Sequence, residues 1–326
     1  IRPAMATKGT AFVENMRTSL ASKSLRIVQE LRSLSSRIVP TVKPQPSASE
    51  SRRDLAALLL LVTVLVVTSV WLQTTGGLQA ERVPDTPSYM EASRATTLGA
   101  ALSHHRTVGF PTLIRSLYAV GGSRDAIPTL AILLYNVGVL LFFFAVRRFS
   151  GSTWLAFAAA LPLPFAGVVR LAPLLQPDFL SATFVLLSIA CLLFVVSSPR
   201  HWLAWIGLGL GVLLAYQFRP AAQFLVLLLP LLAAVFARLR GRSRGEVLRL
   251  FTATSALTLI PFLLFCTLRL ATVGNFGLVS FGGSNLAASV VNFLDPQLVE
   301  ELPTESRDLA RRILRTFFTP ISSSRA

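Results

Sequence analysis

Cysteine, histidine and acidic residues are scarce in this chain: two, three and fifteen among 326 residues. Cys191 and Cys266 both lie inside apolar runs, so they read as small buried hydrophobes and build no disulfide framework. His104 and His105 are adjacent and His201 stands alone, so no histidine–cysteine spacing fits a metal site. Charged residues make up 14% of the chain, against roughly 25% in a soluble domain. None of them sits at the middle of a long apolar run. Asn136 is the main polar residue deep in one. That pattern argues against proton- or ion-coupled transport, which places ionisable groups at the bilayer midplane.

What the chain has instead is apolar length. The hydrophobic fraction is 53% with 22 phenylalanines, and the mean hydropathy is +0.62. A membrane span needs about 20 apolar residues, with about 17 as a lower limit. Seven blocks meet that measure, at 55–72, 127–146, 154–169, 179–196, 202–218, 221–237 and 250–268. The fold class expected is an all-α polytopic transmembrane bundle of about seven spans. Pro162 and Pro164 fall inside the third block and are expected to kink or break it.

The net charge of +16 excludes little by itself, because the positive residues sit between apolar blocks and in the N-terminal tail. They read as topology signals and contacts with anionic lipid headgroups. No basic groove with interleaved aromatics appears, so nucleic acid is not an expected partner. With the N-terminus inside, the inner loops hold Arg147–Arg148, Arg200 and the stretch 238–249, which carries Arg238, Arg240, Arg242, Arg244 and Arg249. The outer turns each carry a single arginine. The expected location is a plasma (inner) membrane, with the N-terminus cytoplasmic.

The expected organisation has three parts. Residues 1–53 form a cytosolic basic tail and linker, with weak helical periodicity over 12–39 that fits an amphipathic surface helix. The stretch 41–51 is Pro- and Ser-rich. Residues 54–269 form the transmembrane domain, with a long outer loop at 73–126. Two stretches of that loop, EASRATTLGAAL and GFPTLIRSLYAV, are each expected to form a short helix on the membrane surface. Residues 270–326 form an extracytoplasmic tail. A start at Met5 is expected, and the short C-terminal part fits a truncated chain.

Candidate chemistry gathers at the outer boundary. Asp85 lies between Pro84 and Pro87, which restrict the backbone around it. A carboxylate above the bilayer can accept a proton from a hydroxyl or orient it. On this segment alone, Asp85-Thr86-Pro87 reads first as turn or helix N-cap chemistry. Asp178 opens the fourth span after Pro177 and reaches the same face, as a second carboxylate or as a cap. Arg170, Arg219 and Arg269 end the third, fifth and seventh blocks there. They snorkel to the interface or converge as a phosphate site. Gly282–Gly283 reads as an ordinary turn or an anion cradle.

In their order and outer placement these features resemble the C-type (GT-C) membrane glycosyltransferases, the class of the dolichyl-phosphate-mannose protein mannosyltransferases. Asp85 and Tyr89 are similar to the acidic residue and following tyrosine of that family's first outer loop. Arg106-Thr107-Val108-Gly109-Phe110-Pro111 is similar to its Arg-x-Pro-Gly-Tyr-Pro stretch, with Val108 and Phe110 substituted. Pro177-Asp178 and Arg219-Pro220 are similar to two further motifs. The resemblance covers about residues 54–285. It implies transfer of a sugar from a polyprenyl-phosphate carrier to an acceptor hydroxyl of a glycan, lipid or protein, with inversion. Asp85 would then be the base or orienting group, with Asp178 as a second catalytic carboxylate. Tyr89, Arg106, Arg170, Arg219 and Arg269 would bind substrate. Some members use a divalent metal and others do not, so the resemblance leaves metal dependence open. The competing readings are a multi-pass transporter and a non-catalytic membrane protein.

Overall fold

The computed structural model describes residues 48–279 and the positions 299, 303, 306–308, 310 and 311. The surface helix expected at 12–39, the Met5 start and the Gly282–Gly283 turn lie outside the described residues. Among the described residues the fold is all-α, with one isolated bridge between Glu81 and Leu174.

Among the described residues seven apolar helical segments form the bundle of a multi-pass membrane protein, and six are long enough to span by length and composition. Helix α1 is Ala48–Thr74. It starts inside the stretch expected to be a linker, because 48–54 carry no proline to stop the helix from extending backward. Three short helices follow in the long loop: α2 Thr86–Ala92, α3 Leu98–Ser103 and α4 Gly109–Ala119. The GFPTLIRSLYAV stretch forms α4. The EASRATTLGAAL stretch is not one helix: α2 ends at Ala92, and Thr97 caps α3 by accepting from the Ala100 amide. A threonine at that position offers the backbone a cap, which competes with continuing the helix.

Helix α5 is Ile127–Ser150, closed by Gly151 at φ +71°, where a side chain would be strained. Helix α6 is Thr153–Ala160. The two prolines end it, and 3-10 turns at Leu163–Phe165 and Gly167–Leu171 complete this segment. The Tyr135 hydroxyl donates to the Leu163 carbonyl at 2.9 Å, satisfying a backbone group in the broken region. Helix α7 is Asp178–Ser197 and α8 is Trp202–Phe218. The 17 residues of α8 span about 26 Å, the short limit for a crossing. A 3-10 turn at Pro220–Phe224 leads into α9, Leu225–Leu239. Helix α10 is Arg244–Val273, opened by a reciprocal Ser243–Glu246 capping box.

Helix α7 is the centre of the bundle and packs on α5, α8 and α9. More than half of its most apolar window is buried, 56%, against 17% for α1 and for α10. The peripheral helices expose Leu59, Val66, Trp71, Ile260 and Leu264, the surface that lipid covers in a membrane protein. Close approach of α7 and α8 comes from small residues. A Cβ on Gly211 would lie 2.6 Å from Ser188 Oγ, and one on Gly207 would lie 2.7 Å from Cys191 Sγ. Tight small-residue contacts replace the hydrophobic drive that lipid cancels.

The bundle has two chemically distinct ends. At one, Asp54 pairs with Arg147 and accepts from the Thr153 hydroxyl, and Arg148, Arg240 and Arg242 bind helix ends nearby. The other end carries the long loop and both candidate aspartates.

Candidate functional site

The long loop is fastened to the start of α7 before any charged group meets. The Glu81 amide donates to the Pro173 carbonyl at 2.9 Å, and the Leu175 amide donates to the Glu81 carbonyl at 2.8 Å. Thr86 donates its hydroxyl hydrogen to the Leu175 carbonyl at 3.1 Å and accepts from the Val83 amide at 2.9 Å. This staple sets the start of α2, with Asp85, beside the segment that leads to Asp178.

Asp85 occupies the N-cap position of α2 but makes no side-chain cap hydrogen bond. Its carboxylate instead accepts two bonds from Arg106, Nη1 to Oδ2 at 3.2 Å and Nη2 to Oδ1 at 2.6 Å. The Arg106 Nε donates to Ser88 Oγ at 2.8 Å, and Ser88 in turn donates to the Asp85 carbonyl at 2.8 Å. The guanidinium lies 4.8 Å over the Tyr89 ring, a cation–π contact that fixes its plane. Tyr89 is buried and meets Phe110 edge-on at 5.2 Å. Its phenol is raised above the ordinary value, by burial first, with Arg106 and Arg219 opposing and Asp85 adding to the rise. Tyr89 is therefore a neutral hydroxyl at physiological pH.

The second half of the site comes from α8. Thr107 donates its hydroxyl hydrogen to the Phe218 carbonyl at 2.9 Å. Gly109 meets the Gln217 backbone so closely that a Cβ there would lie 2.6 Å from its carbonyl oxygen. Arg219 leaves the helix in extended conformation and forms an ion pair with Asp178. Asp178 is the first residue of α7, where its negative charge also complements the helix dipole.

The two ion pairs have opposite accessibility. In the first, Asp85 is 55% exposed and Arg106 21%; in the second, Asp178 is 21% exposed and Arg219 47%. One pair therefore presents a carboxylate and the other a guanidinium. An ionised carboxylate has about four lone-pair positions, so Asp85 keeps acceptor capacity beyond the two bonds from Arg106. A shallow pocket opens near Arg106 between α2, α3 and α4, lined by Ser93, Thr107, Thr112 and Arg115.

Asp85, Tyr89 and Arg106 thus form one cluster, and Asp178 with Arg219 forms its neighbour. The remaining two arginines stand apart. Arg170 is exposed in the 3-10 turn before α7. Arg269 is buried, donating from Nε to the Leu102 carbonyl at 3.1 Å and from Nη1 to the Gly277 carbonyl at 2.6 Å. Arg269 ties α3 to the end of α10. Ser88 carries no signal of its own in the sequence, and Thr86 and Thr107 enter there only as members of the Asp85 and Arg106 stretches. Their roles depend on backbone carbonyls and side chains that only folding brings near.

Among the described residues no three His, Cys, Asp or Glu side chains gather as a metal site. Each candidate carboxylate is already paired with a guanidinium, so a divalent cation would meet positive charge at both. The described residues of this site do not fit a metal centre.

No family model, no curated protein and no solved structure matches this chain.

Proposed function

We propose that this chain is a membrane glycosyltransferase that moves a sugar from a polyprenyl-phosphate carrier to an acceptor hydroxyl, working at the outer face of a plasma (inner) membrane with its N-terminus cytoplasmic. The observation that carries the reading is the accessible Asp85 carboxylate, held by Arg106 beside the accessible guanidinium of Arg219. One polar acceptor and one cation side by side suit a reaction between a hydroxyl and a phosphate-bearing donor. The orientation rests on the arginine-rich loops at the opposite end.

In this reading Asp85 accepts the proton of the acceptor hydroxyl. The acceptor oxygen forms a bond to the anomeric carbon as the carbon–oxygen bond to phosphate breaks. The polyprenyl phosphate leaves with the electron pair, and Arg219 with Arg106 stabilises its charge. Attack opposite the leaving group inverts the anomeric centre. Tyr89 holds the plane of Arg106 from below. Asp178 holds Arg219. Arg269, engaged by backbone carbonyls, ties α3 to the end of α10 and stands outside the reaction.

The test uses the full-length gene product in lipid, supplied with a polyprenyl-phosphate sugar. Asp85→Asn keeps the shape and removes the base, and turnover is expected to fall by about 10²–10⁴-fold with thermal stability retained. Unchanged turnover would remove Asp85 from the reaction, and no transfer by the unaltered chain would favour a transporter or a non-catalytic membrane protein.

A further inference from the structure

At the end of the bundle opposite the candidate site, three arginines from two segments meet the ends of three helices. Arg148, near the end of α5, donates to Ser198 Oγ from Nε at 3.0 Å and from Nη2 at 2.6 Å. Arg240, just past α9, donates to the Phe149 carbonyl at 2.5 Å and lies 5.7 Å from the Phe149 ring centroid. Arg242 donates to the Val196 carbonyl at 3.5 Å and to Glu246 at 3.1 Å. The carbonyls of helix C-termini carry partial negative charge, which explains why arginines gather there. It does not balance them. Three guanidinium charges against the one carboxylate of Glu246 leave two positive charges at this spot.

Arg242 and Arg148 both act on Arg240. Arg240 has its charged form disfavoured, by burial first and then by Arg242 and Arg148. Like charges held this close relax when an anion enters. The cluster also has an apolar side. Phe149 and Phe236 pack edge to face at 5.5 Å beside Arg240, and Phe144 and Val235 are exposed on the helices that carry Phe149 and Phe236. Cations at the end of a membrane helix above an apolar surface match the two halves of a phospholipid.

We propose that Arg148, Arg240 and Arg242 form a binding site for the phosphates of an anionic phospholipid, with its acyl chains along the Phe149–Phe236 face. Two residual charges fit best a headgroup with two phosphates. Arg148 is exposed and Arg242 half-buried, and each keeps donors beyond its present bonds. Arg240, wedged over Phe149, is the fixed one.

The experiment titrates the purified full chain in zwitterionic detergent with cardiolipin, phosphatidylglycerol or phosphatidylcholine, reading bound lipid by native mass spectrometry and stability by thermal unfolding. Cardiolipin is expected to bind most tightly and raise the melting temperature, and phosphatidylcholine to do neither. The double change Arg148→Gln with Arg242→Gln is expected to weaken cardiolipin on the order of thirtyfold. A control removes equal charge at the other end, Arg94→Gln with Arg124→Gln, and is expected to leave binding unchanged. Should the control weaken binding as much, or should phosphatidylcholine bind equally well, the site does not exist as proposed. Arg240→Lys keeps the charge and loses the fork, so a folded variant with undiminished binding would also count against it.

Discussion

Thr107 and Phe218 are joined by a 2.9 Å hydrogen bond between a buried hydroxyl and a helix-end carbonyl, across 111 residues of chain. Through that bond the chain on either side is drawn together, and Arg106 and Arg219 both act on Tyr89. The two ion pairs of the candidate site are thereby positioned by a neutral contact that neither pair contains.

Thr107→Val preserves shape and removes the donor, leaving the Phe218 carbonyl without this partner. An unsatisfied buried polar group costs about 1–3 kcal/mol. A lower melting temperature in detergent is expected, with Arg219 becoming more accessible to arginine-selective modification. An unaltered melting curve would show that the bond does not hold the loop to α8.

Gly211→Ala sets two effects against each other. Alanine favours a helix over glycine by about 1 kcal/mol, while overpacking costs about 1–3 kcal/mol. The new methyl would meet Ser188 Oγ at 2.6 Å and the Ser188 backbone nitrogen at 3.3 Å, so the steric cost is expected to win. In a Ser188→Ala background the loss should shrink. Gly207→Ala faces mainly the Cys191 sulfur at 2.7 Å, an end that can turn away, and should cost less. Thermal unfolding of the four variants measures the order.

Asn136 donates to Ser69 Oγ at 2.8 Å, linking α5 to α1 inside the apolar region. Interhelical bonds of this kind average about 0.6 kcal/mol, and Ser69 can return its hydroxyl to its own helix. A double-mutant cycle with Asn136→Leu and Ser69→Ala should give a coupling near that size. A coupling above about 2 kcal/mol would mean that α1 depends on this bond far more than its small buried surface implies.

His104 Nδ1 accepts the Arg106 backbone amide at 3.2 Å. Burial first, then His105, lowers the imidazole below its ordinary 6.5, with Arg106 adding and Glu91 opposing. A lowered histidine favours the neutral form in the folded state. The stability it lends is complete above 6.5 and is lost as pH falls through the folded value. Amide hydrogen exchange at Arg106, corrected for its intrinsic pH dependence, should therefore lose protection on acidification. His104→Gln should remove that dependence. A midpoint at or above 6.5 in a histidine titration by NMR would contradict the assignment.

The apolar segments were legible in the sequence because hydropathy is a local property. The block at 202–218 coincides with α8, and the break after Ala160 follows from Pro162 and Pro164. The split of EASRATTLGAAL into the end of α2 and the start of α3 was less legible. There a capping threonine, Thr97, prevailed over continuous helix propensity. At Asp85 the local residues fitted a cap better than a functional carboxylate, yet its side chain makes no cap bond. Its Arg106 partner is 21 positions away, beyond any local rule.

Composition and order by themselves determined that this chain is a bundle of membrane helices with charge gathered at its ends. A span must satisfy its own backbone and match lipid with its own side chains, so each block carries its instructions within itself. Which charges meet was decided only by tertiary structure. Asp85 took Arg106, Asp178 took Arg219, and Arg269 was buried against the carbonyls of Leu102 and Gly277. Those choices depend on the Glu81–Leu174 bridge and the Thr107–Phe218 bond, contacts between segments distant in sequence whose strength exists only once the helices have packed.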